Sequence, residues 1–255
     1  MNCNRHIAIC FLALLALFSR GCEQEGPPGI GGPWVKGTLD GTIGVYDELG
    51  RTLDDRDGFI VKVQSTGLYS STDSEGYFRI DSLPTGTYNI ICRKNGFVDD
   101  LVIGYQFIGG GIQTLNSIDM VPPSTTQVID IQLETGGTDW FWVYGEISPF
   151  PVEQEVRSIR LFFSDAENVR YDNYLYTTRI LINQRMYGDE NFFTVEIPYY
   201  FISEDFFYDN IHTYYVKAYG ISLNDWGYPD LQSGLMIYPS MNIDEGSGVV
   251  VLVTD

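Results

Sequence analysis

Cys22 is the side chain with the most definite chemistry in this sequence. It ends a segment in which Arg5 supplies positive charge, Ile7 to Phe18 is an unbroken apolar run of 12 residues, and Ser19-Arg20-Gly21 are small or polar. Twelve apolar residues fall short of the roughly 20 that a spanning helix needs, and they suit the apolar stretch of a cleavable export signal. The thiol of Cys22, which closes this segment, is a group that can carry an acyl chain. Each buried methylene of an acyl chain adds about 0.8 kcal/mol of membrane affinity, so two or more chains hold firmly.

The second stretch with binding chemistry is Leu223-Asn224-Asp225-Trp226-Gly227-Tyr228-Pro229-Asp230. Trp226 and Tyr228 on a loop containing Gly and Pro, flanked by Asn224, Asp225 and Asp230, offer flat aromatic faces beside amide and carboxylate groups. That combination suits sugar rings or a protein partner. The competing expectation is that Trp226 folds back over the end of its domain, because Trp is highly buried on average. Tyr199, Tyr200, Phe206, Phe207 and Tyr208 invite the same question and are expected to pack an irregular segment between strands.

Other reactive groups are sparse. Cys3 and Cys10 lie in the leader and Cys22 would be consumed by a lipid, which would leave Cys92 alone, without a disulfide partner in the mature chain. Cys92 lies in Tyr88-Asn89-Ile90-Ile91-Cys92 and is expected on the same strand face as Tyr88 and Ile90, as a buried, inert thiol. Hydrolytic triads need a base, usually His; His212 is the one histidine after the leader, and it precedes a strand with no nucleophile motif beside it. No phosphate-cradling loop, His-Glu-x-x-His or cysteine pair for zinc occurs. Asp54, Asp55, Asp57 and Gly58 share a loop, but their spacing fails the calcium-loop template and reads as a hydrated turn. No catalytic residue, metal or cofactor is therefore expected. Two carboxylates suffice for a glycosidase, so acidity by itself does not exclude a hydrolase.

Charge narrows the partners. The 255 residues hold 34 acidic and 15 basic side chains. Arg5 and Arg20 precede Cys22 and no acid does, so the chain from Cys22 onward carries 13 basic and 34 acidic groups, a formal net charge of −21. Such a surface repels phosphate backbones and anionic headgroups, which argues against nucleic acid.

The elements that position these groups read as strands. Apolar residues make up 44% of the chain, enough for real cores. After the leader, short alternating runs dominate and no long window keeps a 3.6-residue period. Glu23 to Pro33, rich in Gly and Pro, reads as a spacer. Strands are expected at Thr42–Tyr46, Ile60–Gln64, Tyr77–Ile80 and Tyr88–Cys92, with Leu83-Pro84-Thr85-Gly86 as a turn-rich link. Val98 to Gly111 is expected as an insertion, followed by a last strand from Ile112 to Met120, and Pro122-Pro123-Ser124 marks a boundary. Beyond it, Ile129, Ile131 and Leu133 alternate with polar residues. Ile159, Leu161 and Phe163 alternate with Arg160 and Phe162, and Phe193, Val195 and Ile197 with Thr194 and Glu196. Further runs are expected at Trp140–Ile147, Ile180–Asn183, His212–Ile221, Leu235–Tyr238 and Val249–Val253, seven or eight strands in all.

Four resemblances accompany these patterns. Gly21-Cys22 at the end of the apolar run resembles bacterial lipoprotein signals, in which the Cys is diacylated and becomes the new N-terminus; Ser19 and Arg20 depart from the strict pattern. Glu23 and Glu25 resemble the acidic tag of surface-exported lipoproteins of Bacteroidota-type bacteria. Thr72-Asp73-Ser74-Glu75-Gly76-Tyr77-Phe78-Arg79-Ile80, Leu83 to Tyr88, and Asn95-Gly96-Phe97 resemble the carboxypeptidase regulatory-like domain, a transthyretin-like sandwich of about seven strands. That resemblance implies a structural or adhesive module and no peptidase. Thr213-Tyr214-Tyr215-Val216-Lys217-Ala218-Tyr219 resembles the sixth strand of fibronectin type III-like domains, which implies that Tyr214, Val216 and Ala218 face the core.

The expected organisation is all-β: a signal peptide at 1–21, a lipidated tether at 22–35, and two tandem antiparallel sandwiches at 36–123 and 124–255. The expected function is a non-catalytic lipoprotein of the outer membrane or cell surface that binds a glycan or protein ligand. The alternative is a structural subunit of an envelope complex. The oligomeric state is left open.

Overall fold

Alternation along the first strand sets up the N-terminal sandwich. In β1 (Lys36–Val45) the inward positions are Leu39, Gly41, Ile43 and Val45, with polar or small residues between them. Gly41 is required by close packing: a Cβ there would stand 2.9 Å from both the Leu115 carbonyl and the Phe78 ring. The computed structural model describes residues 35–136, 140–183, 192–199 and 212–254. Cys22, the leader and the tether lie outside these. Among the described residues no helix is long and apolar enough to cross a membrane.

Six further strands complete this sandwich: β2 (Ile60–Val63), β3 (Tyr69–Ser71), β4 (Tyr77–Pro84), β5 (Gly86–Arg93), β6 (Asp100–Phe107) and β7 (Ile112–Met120). They form two sheets, ordered β4-β1-β7 and β3-β2-β5-β6. The side chains between the sheets include Leu39, Phe59, Val61, Phe78, Ile90, Cys92 and Met120. One pairing departs from the antiparallel expectation: β7 runs parallel to β1. Five strands separate the two in sequence, so no hairpin dictates their relative direction.

Two local expectations need correction. Leu83 to Gly86 is not a separate link, because β4 runs to Pro84 and β5 begins at Gly86, leaving Thr85 as the turn. The segment 98–111 is not a plain insertion, because it contains β6, paired with β5. The register shifts between Tyr88 and Ile90, Gly104 adopts φ +68°, and its N–H donates to Asn89 Oδ1 at 3.0 Å. The bulge hides the strand because it breaks the two-residue period.

The C-terminal sandwich uses β8 (Gln127–Thr135), β9 (Trp140–Ser148), β10 (Val156–Ser164), β11 (Tyr176–Asn183), β12 (Phe192–Pro198), β13 (His212–Ile221), the short strands β14 (Tyr228–Pro229) and β15 (Met236–Ile237), and β16 (Val250–Thr254). Sheet β12-β9-β8 faces sheet β11-β10-β13-β16, and all their pairings are antiparallel. Phe141, Val143, Ile159, Leu161, Phe163, Phe193, Tyr214, Val216 and Ala218 fill the space between them. Tyr214 meets Tyr176 edge to face, with ring centroids 6.5 Å apart.

In β8 the expected inward trio Ile129, Ile131 and Leu133 is corrected by one residue. The register shifts between Val128 and Asp130, so Val128 and Ile131 are buried and Ile129 is exposed. In β10 both faces are covered. Ile159, Leu161 and Phe163 enter the main core, while Phe162 joins a second cluster with Val169, Tyr219, Tyr238 and Met241 on the outside of the sheet. Arg160 lies in that outer layer, its guanidinium 3.7 Å from the Tyr238 ring centre.

Candidate functional site

The loop from Ser222 to Met241 crosses the outer face of the four-stranded sheet, and the outer aromatic layer holds it there. Tyr238 and Tyr174 both meet Phe162 edge to face, at 6.3 and 4.9 Å. The Tyr174 hydroxyl donates to the Met236 carbonyl and accepts from the Met236 N–H, each at 3.0 Å. β14 and β15 pair as a small ribbon within this loop.

Within that frame the five loop residues singled out from sequence have different jobs. Asp225 is buried, at 5% exposure. Its Oδ1 accepts the Gly227 N–H at 2.9 Å and its Oδ2 accepts the Ser240 N–H at 2.8 Å. Both oxygens are thus committed to backbone, and Asp225 shapes the loop. Asp230 does the same for the next turn, accepting from the Gln232 and Ser233 amides and from the Ser233 hydroxyl. Those bonds hold its carboxyl below the ordinary range, led by the Ser233 hydroxyl. Tyr228 is half-buried. Burial raises its phenol, and Asp99 and Asp100 add to the shift.

Trp226 behaves differently. It is 67% exposed, so it does not fold back over the sandwich. The Arg179 guanidinium lies 5.0 Å from its ring centre and also donates to the Leu223 carbonyl at 2.9 Å. One side of the indole is therefore held by a cation that is itself tied to the start of the loop.

Asn224, Asp225 and Trp226 form one wall of a groove of about 230 Å³, and Val98, Asp100 and Leu101 form the other. The groove thus lies where the N-terminal sandwich meets the 222–241 loop. Asp100 has its carboxyl raised above the usual range, chiefly by burial, with the negative charges of Asp225 and Asp119 adding to it. This wall lies at the start of β6, the strand that sequence alone reads as an insertion. Arg179 carries no sequence signal that would join it to the loop.

The two sandwiches are fastened beside this groove. Glu48, in the loop after β1, accepts the Thr125 N–H and hydroxyl, each at 2.6 Å, and pairs with Arg157 of β10 at 3.3 Å. Arg157 Nη1 also donates to Thr126 Oγ1 at 3.1 Å. The Leu223 N–H donates to the Glu48 carbonyl at 2.9 Å, and the Ser222 hydroxyl to the Pro122 carbonyl at 2.7 Å. The segment that carries Trp226 is thereby bonded to both sandwiches.

The remaining sequence candidates are placed as follows. Tyr199 is buried and stacks on Phe141 with centroids 5.5 Å apart; Tyr200, Phe206, Phe207 and Tyr208 lie outside the described residues. In the acidic loop, Lys94 Nζ donates to Asp55 Oδ2 at 2.9 Å and to the Asp57 carbonyl at 2.8 Å. Among the described residues no three His, Cys, Asp or Glu side chains are grouped to hold a metal. Cys92 is fully buried, and burial pushes its thiol up to about 12.

The sequence matches no family model and no curated protein. Among solved structures, a chain of a type II cohesin–X–dockerin complex from Acetivibrio cellulolyticus is 21% identical over 34% of this chain, with a TM-score of 0.29. The match spans 58% of that chain, a little over half its length. A candidate carbohydrate binding protein from Bacteroides uniformis is 15% identical, covers 86% of this chain and 99% of its own, and has a TM-score of 0.29. A DUF3823 family protein from Bacteroides ovatus is 14% identical, with coverages of 88% and 100% and a TM-score of 0.27. Similarity at this level assigns neither a family nor a function.

Proposed function

We propose that this chain is a non-catalytic binding module, lipid-anchored through Cys22 at the outer membrane or cell surface, that contacts a glycan or protein ligand through the Trp226 groove. In this reading residues 36–123 and 124–255 are two tandem domains, the first carboxypeptidase regulatory-like and the second immunoglobulin- or fibronectin-like. The exposure of Trp226 on an otherwise anchored loop carries the proposal. A large aromatic left in water at the rim of a groove is the usual form of an interface anchor. The groove walls add carboxylate and amide groups that accept hydrogen bonds from hydroxyl or ammonium donors. Asp225, the carboxylate beside Trp226, has both oxygens engaged by backbone amides, so it is not free to activate water. That favours binding over hydrolysis.

The test combines a glycan array with pull-down from an envelope extract, using the acylated protein and its Trp226→Ala and Trp226→Phe variants. Retention by a defined ligand, lost in Trp226→Ala and largely kept in Trp226→Phe, is expected. Equal retention by Trp226→Ala overturns the assignment of the groove. For the anchor, Cys22→Ser should release the protein from the membrane fraction, and tight membrane association of that variant would refute lipidation as the tether.

A further inference from the structure

A second, unrelated surface carries aromatic side chains where alternation calls for polar ones. In β9, Phe141, Val143, Gly145 and Ile147 are buried, so Trp140, Trp142, Tyr144 and Glu146 stand on the outer face of sheet β12-β9-β8. The solvent face of such a sheet is ordinarily polar. The Trp142 and Tyr144 rings have centroids 6.5 Å apart and planes 32° apart, close to the roughly 6.6 Å set by two residues of strand rise. Gly136 donates its N–H to the Trp140 carbonyl, and a Cβ at Gly136 would run into the indole Nε1. The glycine therefore leaves the Trp140 ring room to lie against the sheet.

The row is flanked on both sides by hydrogen-bonding groups. Across β8, Gln132 stands opposite Tyr144 and Glu134 opposite Trp142. Across β12, Thr194 stands opposite Tyr144 and Glu196 opposite Trp142. The Tyr144 phenol is raised above its ordinary value, chiefly by burial, with the nearby Glu134 charge adding to it. A depression of about 360 Å³ opens beside Tyr144 and Phe192, over Gly145 and next to Asp130, Gln132 and Glu134. Phe192 is 55% exposed.

Size and charge select the occupant. Three strands at about 4.8 Å spacing and seven residues of β9 cover roughly 330 Å², well below the ~800 Å² per partner of a stable protein interface. The aromatic stretch from Trp140 to Tyr144 is about 13 Å long, which matches two to three consecutive sugar rings. The charged groups on this face, Asp130, Glu134, Glu146 and Glu196, are all acidic, which repels anionic polymers and headgroups. Carboxylates are strong acceptors for hydroxyl donors.

We propose that the outer face of β8, β9 and β12 is a platform for an uncharged oligosaccharide, with Trp142 and Tyr144 stacking on successive sugar rings and Gln132, Glu134 and Glu196 bonding their hydroxyls. This site does not use the Trp226 groove and stands or falls separately from it. The full-length protein is titrated by calorimetry with cellohexaose, xylohexaose, mannohexaose and maltohexaose. Saturable binding of at least one is expected. The double variant Trp142→Ala/Tyr144→Ala should weaken it at least about tenfold, which corresponds to ~1.4 kcal/mol, while Tyr69→Ala, at an exposed aromatic of β3, binds as the parent does. Should the double variant fail to fold by circular dichroism, Gln132→Arg at an exposed position places a bulky cation across the row and should give the same loss. No saturable binding of any of the four sugars overturns the proposal, as does unchanged binding in the folded platform variants or loss of binding in Trp226→Ala alone. A concentration-dependent dimer in sedimentation velocity that the platform variants abolish would assign the face to a second copy and overturn it equally.

Discussion

Removing the Glu48 carboxylate tests whether the two sandwiches are joined as tightly as the junction geometry implies. The Arg157 side chain is 8% exposed and that of Glu48 17%, so this pair is largely withdrawn from water. In Glu48→Ala, Arg157 keeps its bond to Thr126 Oγ1 but loses its counter-charge, and the Thr125 amide and hydroxyl lose their acceptor. Breaking a buried pair from one side costs about 3–5 kcal/mol. Thr125 is exposed, so water replaces its lost bonds, and the lower end, about 3 kcal/mol, is expected. For a chain of this size that corresponds to a drop in Tm of roughly 6–12 °C. Urea denaturation followed by far-ultraviolet circular dichroism and tryptophan fluorescence reads both the loss and its distribution. Glu48→Ala/Arg157→Met removes the stranded cation as well, and should recover part of the loss, about 1–2 kcal/mol. A Glu48→Ala cost below about 1 kcal/mol, or a double variant no more stable than the single one, would refute the reasoning.

Three further outcomes follow from particular contacts. Asp225→Ala leaves the Ser240 amide buried without its acceptor and should cost about 2–3 kcal/mol, with a shift in tryptophan emission as the Trp226 loop loosens; unchanged emission and stability would contradict the role given to this carboxylate. Gly220→Ala drives a Cβ into the Thr126 carbonyl, a rigid backbone neighbour, and should destabilise by at least about 2 kcal/mol by urea melt. Cys92 should resist a thiol reagent at pH 8 in the native protein and react at once in urea. Because its folded value is raised from 9.0 to about 12, the stability it contributes is complete below pH 9 and is lost as pH rises from there towards 12. Flat stability across that window in a comparison with Cys92→Ala would count against a buried thiol.

The all-β class was legible from sequence because in-out alternation is a local property, and β1 and β9 keep it over ten and nine residues. What escaped was decided by non-local packing. β6 was lost because a glycine bulge at Gly104 breaks its period, and in β8 the shift after Val128 turns Ile129 outward while Ile131 and Leu133 stay inward. Arg160 and Phe162 alternate correctly with their neighbours, yet both are buried, because a distant loop lays Tyr238 over them. At the groove, residue type announced Trp226 but could not separate a carboxylate that faces ligand from one that holds backbone. Asp225 and Asp230 have the composition of contact residues and the bonding of turn anchors. Glu48, Arg157 and Arg179 act through partners between 31 and 109 positions away in the chain, a relation that neither spacing nor composition encodes.

The anchoring of Trp226 has a thermodynamic consequence. A recognition loop that must be ordered by its ligand spends part of the contact energy on that ordering. Here the two bonds from Asp225 and the cation under the indole settle the conformation during folding. Association should then lack a slow conformational phase, and its heat-capacity change should track the apolar area covered rather than the condensation of a disordered segment.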